Sequence, residues 1–94
     1  MLFALTCLDK PNSAATRAEN RPAHLDYARG WGARVVIAGP LLADDAKTPV
    51  GSLLILDLPS RAEAERFAAD DPYAKAGLFQ SVTIRGWRKV FPEA

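Results

Sequence analysis

Val50-Gly51-Ser52-Leu53-Leu54-Ile55-Leu56-Asp57-Leu58 is followed at once by Pro59-Ser60-Arg61-Ala62-Glu63. Val50 to Leu58, with Leu53-Leu54-Ile55-Leu56 uninterrupted at its centre and a proline to stop it, reads as a strand. Ser60 and Glu63 have the spacing of a capping box, so a helix starts directly after the strand and runs to about Ala69. Asp70-Asp71-Pro72 ends that helix, because the residue before a proline is biased away from the helical region. Pro72 to Gly77 reads as one further helical turn.

Working outward, Ala43 to Pro49 is polar, holds Asp44-Asp45, and reads as a loop. Before it, Arg34 to Leu42 is a strand centred on Val35-Val36-Ile37-Ala38. Gly39-Pro40 interrupts its end, and a proline without an N–H is not expected at an ordinary central ladder position. At the N-terminus, Leu2 to Leu8 is apolar throughout and reads as a buried strand. Pro11-Asn12-Ser13 stops it and offers a helix N-cap. A helix is expected from Ser13 to Trp31, kinked or broken at Pro22. Ala14, Ala18, Leu25 and Gly32 share one side of it and are expected to meet the sheet. Phe79 to Phe91 is the last strand, with a bulge expected at Gly86-Trp87. The order is β-α-β-β-α-β, that of the ferredoxin-like α+β plait with a four-stranded antiparallel sheet.

A plait covers one face of its sheet with helices and leaves the other bare. Here the first three strands are apolar on both faces. Leu2, Ala4 and Leu8 stand against Phe3, Leu5 and Cys7; Val35 and Ile37 against Val36 and Ala38; Leu53 and Ile55 against Leu54 and Leu56. A second copy of the chain is the simplest cover, so a homodimer packed sheet to sheet is expected. A different protein partner or a longer assembly would cover the face equally well.

The chain has 94 residues, which fits one complete domain over residues 1–94. Its net charge is +1, too weak a field to gather nucleic acid or an anionic membrane. The plait also houses RNA-recognition domains, but those need aromatics on the central strands, where Leu53-Leu54-Ile55-Leu56 stands instead. No apolar stretch has the length of a membrane span. Met1-Leu2-Phe3 lacks the basic start of a signal peptide. The single cysteine, Cys7, has no partner for an internal disulfide and reads as a buried, inert thiol. A cytoplasmic protein is the expectation. One histidine and one cysteine do not make a zinc site of the usual kind, and there is neither a glycine-rich phosphate loop nor a serine nucleophile elbow.

Three features remain as candidates for chemistry. The single histidine, His24, lies in the first helix, with Arg17 and Arg21 within an arc of about 60° of it. This stripe would flank the core face. Arginines there are suited to an anionic ligand, although a lone histidine and a pair of arginines are more often a solvated helix face. Asp70-Asp71-Pro72-Tyr73 is the second feature, and acts as a helix terminator in any case. Gly39-Pro40 is the third: either a strand end of unusual backbone, or a place where a ligand comes close to the chain.

Arg21-Pro22-Ala23-His24-Leu25, Ala38-Gly39-Pro40, Asp71-Pro72-Tyr73 with Ala76-Gly77, and Lys89-Val90-Phe91 stand in an order and at spacings that resemble YCII-related (YciI-like) proteins. The resemblance spans essentially the whole chain. Two stretches depart from the family pattern: the connection Leu41 to Ser52 is short, and Gly86-Trp87-Arg88 replaces a Lys-Pro-Phe-type segment. The resemblance implies the dimeric α/β-barrel superfamily and a pocket with a histidine–aspartate dyad, here His24 and Asp71. It also places Arg17, Gly39, Pro40 and Tyr73 among the pocket residues.

An aspartate on one ring nitrogen fixes the histidine tautomer and leaves the other nitrogen to move protons. That suits an isomerase, lyase or dehydrohalogenase acting on a small anionic or phenolic metabolite. Arg17 or Arg21 would neutralise the anion, and Tyr73 would donate a hydrogen bond or stack on a ring. Such chemistry requires no cofactor. The rival expectation is a non-catalytic module of the same fold that binds a small molecule or a partner.

Overall fold

The computed structural model describes residues 1–93. The elements are β1 (Leu2–Asp9), α1 (Ala14–Trp31), a 3-10 turn (Gly32–Arg34), β2 (Val35–Leu42), β3 (Pro49–Asp57), α2 (Arg61–Asp70), α3 (Pro72–Lys75) and β4 (Phe79–Trp87). The four strands form one antiparallel sheet in the order β2-β3-β1-β4. This is the ferredoxin-like α+β plait, with the two most apolar strands in the middle.

Alternation along β1 decides which side chains meet the helices. Phe3, Leu5 and Cys7 are buried on one face and pair in register with Leu56, Leu54 and Ser52 of β3. Onto this layer α2 lays Ala64 and Phe67, both buried. The Ser60 hydroxyl accepts from the Glu63 N–H at 3.3 Å, the cap that the sequence spacing predicts. Gly51 is required at its place in β3, because a Cβ there would lie 2.4 Å from the Cys7 carbonyl oxygen.

Three expectations are corrected. First, α1 is not broken at Pro22 but runs through it as one helix. Pro22 is exposed, so its ring and the lost backbone bond fall on the solvent side. Second, α1 packs a different face on the core, and the expected face looks at the sheet across a cleft. Arg17 and His24 are its buried residues, while Ala14, Ala18 and Gly32 are exposed and Leu25 is half-buried. The rotation follows from the aromatics further along: Tyr27 and Trp31 pack on Phe67 with ring centroids 5.2 and 5.1 Å away. Residues 17, 24, 27 and 31 share one helical stripe, so burying the two large rings draws Arg17 and His24 inward. Third, β4 ends at Trp87, not Phe91, because β1 offers its last partner at Leu2. The irregularity in this ladder lies at Leu8/Asp9 and not at Gly86-Trp87.

Proline at position 40 sits on β2, an edge strand, as its missing donor requires. The register of β2 against β3 shifts between Val35 and Ile37. Val35 therefore packs on the core while Ile37 is 60% exposed on the opposite face. That bare face also presents Leu8, Leu53 and Trp87, at 47%, 38% and 40% exposure.

Candidate functional site

A cleft of about 390 Å³ opens between α1 and the β2–β3 half of the sheet. This is within the size range of small-molecule sites. Its walls are mostly apolar: Ala14, Ala18 and Leu25 from the helix, Ala38 and Pro40 from β2, Leu54 from β3. The small residues at 14 and 18 leave room where larger ones would close the helix onto the sheet. Gly39 also lines the cleft, as do Arg17, Arg21, His24 and Tyr73.

His24 is 9% exposed and Asp71 2%. The ring's Nδ1 lies 2.9 Å from Asp71 Oδ1 and 3.0 Å from Oδ2. A carboxylate accepts there, so Nδ1 carries the proton and Nε2 presents a lone pair. Nε2 has no protein partner among the described residues, and no buried side-chain polar atom among them is left unsatisfied. It therefore opens on the cleft that His24 lines. Asp71 does two things at once. Its Oδ1 also accepts from the Tyr73 N–H at 2.9 Å, capping α3. Its backbone is extended, as the following Pro72 demands. The helix-terminating role and the contact to His24 are thus one feature: the Asx turn that ends α2 aims the carboxylate at α1.

Tyr73, 1% exposed, has its ring stacked on His24, centroids 4.1 Å apart and planes 15° from parallel. The Arg17 guanidinium carbon sits 4.6 Å from the same ring. Burial raises the Tyr73 phenol above its ordinary value, and the charges of Arg17 and Arg21 pull it back. Arg17 is not free. Its Nε and Nη2 donate to the two carboxylate oxygens of Asp9 at 2.7 and 2.9 Å, and Nη2 also donates to Ser52 Oγ at 2.9 Å. Burial works against its charge, but the hydrogen bonds and charge of Asp9 outweigh that and hold the proton more firmly than usual. Arg21, by contrast, is exposed and lines the same cleft.

The structure thus brings Arg17, Arg21, His24, Gly39, Pro40 and Tyr73 to one cleft, with Asp71 behind His24. Asp44 and Asp45 lie outside it. The exposed Asp45 accepts from the Thr48 hydroxyl and from the Thr48 and Lys47 N–H groups, which lowers its carboxyl and shapes the loop. Sequence reasoning missed Asp9 and Ser52. The signal for Asp9 was present: it continues the inward parity of Phe3, Leu5 and Cys7, where a carboxylate needs a partner. Ser52 carried no such signal. Among the described residues there is no group of three or more His, Cys, Asp or Glu side chains that would hold a metal. No helix among them is long and apolar enough to cross a membrane.

Comparison with known proteins gives the family and agrees with the fold. The model of the YCII-related domain matches residues 1–88. Protein YciI of Escherichia coli O6:H1 is 34% identical over 99 residues, spanning 97% of this chain and 100% of that protein. An uncharacterized protein of Haemophilus influenzae is 32% identical over 98 residues, with 97% and 100% covered. Among solved structures, 5-chloro-2-hydroxyhydroquinone dehydrochlorinase of Burkholderia phenoliruptrix AC1100, in complex with 2,5-dihydroxybenzoquinone, superposes with a TM-score of 0.86. It is 35% identical in sequence, with 94% of each chain covered. An antibiotic biosynthesis monooxygenase superposes with a TM-score of 0.58 at 15% identity, covering 96% of this chain and 99% of the other, a likeness of fold alone.

Proposed function

The chain belongs to the YCII-related family, and from that premise we propose that it is an acid–base enzyme of the isomerase, lyase or dehydrohalogenase type, with His24 and Asp71 as its dyad. The observation that carries this reading is His24 Nδ1 held 2.9 Å from Asp71 with Nε2 turned to the cleft. Asp71 fixes the tautomer and stabilises the imidazolium that forms when Nε2 takes a proton. A hydroxyl or an enolisable carbon on a small ring is the matching proton source. In an elimination, the bonding pair released by that proton forms a double bond, and a leaving halide departs with the pair of its own bond. In an isomerisation, Nε2 returns the proton at a different ring atom.

The cleft favours a flat, largely apolar ring with one anionic or phenolic oxygen. Arg21 is the exposed cation able to meet that oxygen, since the charge of Arg17 is already matched by Asp9. Support for a hydroxylated ring comes from the dehydrochlorinase, whose complex holds 2,5-dihydroxybenzoquinone. Proton transfer of this kind needs no cofactor. We place the protein in the cytoplasm, the lone Cys7 thiol being suited to a reducing compartment. We further take the bare sheet face to be covered by a second copy of the chain.

The test is halide release from chlorinated hydroxyhydroquinones, together with binding of 2,5-dihydroxybenzoquinone followed by its visible absorbance. Wild type is expected to do both. His24→Asn is expected to lose at least about a hundredfold in turnover while still binding the quinone, the usual weight of a general base. Equal turnover in His24→Asn sinks the mechanism. Binding by wild type with no proton-transfer activity on any enolisable ring compound would point to a binding module.

A further inference from the structure

Asp9 stands at the inward end of β1, its side chain 6% exposed, and both its oxygens are taken by Arg17. With the bond from Nη2 to Ser52, the guanidinium has three of its N–H groups engaged on Asp9 and Ser52. Tyr73 adds a hydrogen-bonding contribution to the guanidinium, and Arg17 lines the cleft. Arg17 and His24 are seven residues apart on α1, about 10.5 Å of rise. Between them lies the Tyr73 ring, 4.6 Å from the guanidinium carbon and 4.1 Å from the imidazole centroid. The phenol ring thus touches both side chains.

We propose that Asp9 is a positioning residue of this site, which locks the Arg17 guanidinium over the Tyr73 ring and so presses Tyr73 onto His24. The bidentate pair removes the rotational freedom of a long side chain, and Ser52 removes what remains. The guanidinium plane then serves as a fixed wall. It holds the Tyr73 ring at stacking distance from the base. Asp9 also cancels the charge of Arg17 locally, so that Arg21 sets the charge offered to a ligand. Buried ion pairs often contribute no more stability than apolar residues of the same volume, which directs attention to what this pair positions. The proposal rests on the reading of the cleft as the functional site, but its first test does not.

That test is the chemical shift of the His24 ring protons, unambiguous because the chain has one histidine. In wild type the stacked phenol shields them. Asp9→Asn keeps the size of the side chain and loses its charge and one acceptor. The ring protons are expected to move downfield, toward their positions in Tyr73→Leu, and 2,5-dihydroxybenzoquinone is expected to bind about tenfold more weakly, the weight of one hydrogen bond to a charged group. A purely structural Asp9 would lower the unfolding midpoint and leave the His24 resonances in place; that result overturns the proposal. Should Asp9→Asn not fold, Ser52→Ala removes one contact to Arg17 and carries the same readout. A moved resonance in a protein whose wild type binds no quinone supports the positioning role and counts against the proposed function alone.

Discussion

The rings of His24 and Tyr73 lie parallel to within 15° at 4.1 Å, one from the middle of α1 and the other from α3, 49 positions later in the chain. The stack faces one side of the cleft, and Arg17, on the same helix as His24, is the neighbour of the Tyr73 phenol.

Tyr73 accordingly has two separable contributions. Tyr73→Phe keeps the ring, so stability should change by less than about 1.5 kcal/mol, while affinity for 2,5-dihydroxybenzoquinone falls with the lost hydroxyl. Tyr73→Ala opens a cavity and should cost about 3–5 kcal/mol. Urea unfolding and an absorbance titration of each variant measure the two effects.

Arg17 and Arg21 look alike in sequence and should behave oppositely. Arg17→Met strands the buried Asp9 carboxylate and is expected to cost about 3–5 kcal/mol of stability. Arg17→Lys should recover only part of that, because an ammonium cannot form the bidentate pair. Arg21→Met, on an exposed position, should leave stability within about 0.5 kcal/mol and weaken binding of an anionic ring. Equal stability losses in the two Met variants would contradict the structure.

Cys7 supplies a pH dependence. Burial, and after it the charge of Asp71, pushes the thiol from its ordinary 9.0 up to about 12. The folded chain keeps this proton over a range where the unfolded chain loses it, so the unfolded state gains as pH rises. The contribution is fully present below pH 9 and is lost progressively up to about 12. Urea midpoints measured across that range should fall more steeply in wild type than in Cys7→Ala. At neutral pH the native thiol should resist aromatic disulfide reagents and react only on unfolding.

For the bare sheet face, sedimentation of the wild type is expected to give twice the chain mass. Ile37→Glu and Leu53→Glu place a charge on that face and should yield folded monomers with unchanged far-ultraviolet dichroism. Sedimentation of wild type at a single chain mass would dismiss the second copy as the cover.

What the sequence determined by itself was the order and kind of the elements, because those signals are local. The Leu53–Leu56 run, the Ser60–Glu63 cap and the Asp71-Pro72 stop each act within a few residues. The resemblance also pointed to His24, Asp71 and Tyr73, which the fold then brought within contact of one another. The rotation of α1 was decided only in three dimensions, since it follows from Tyr27 and Trp31 finding Phe67 on another helix. That rotation turned Arg17 from a free cation into a partner of Asp9 and Ser52, residues 8 and 35 positions away. The end of β4 was likewise set by where β1 runs out. Periodicity shows which residues share a helix face. Which face is buried depends on the packing of side chains far apart in the chain, and no local pattern encodes that.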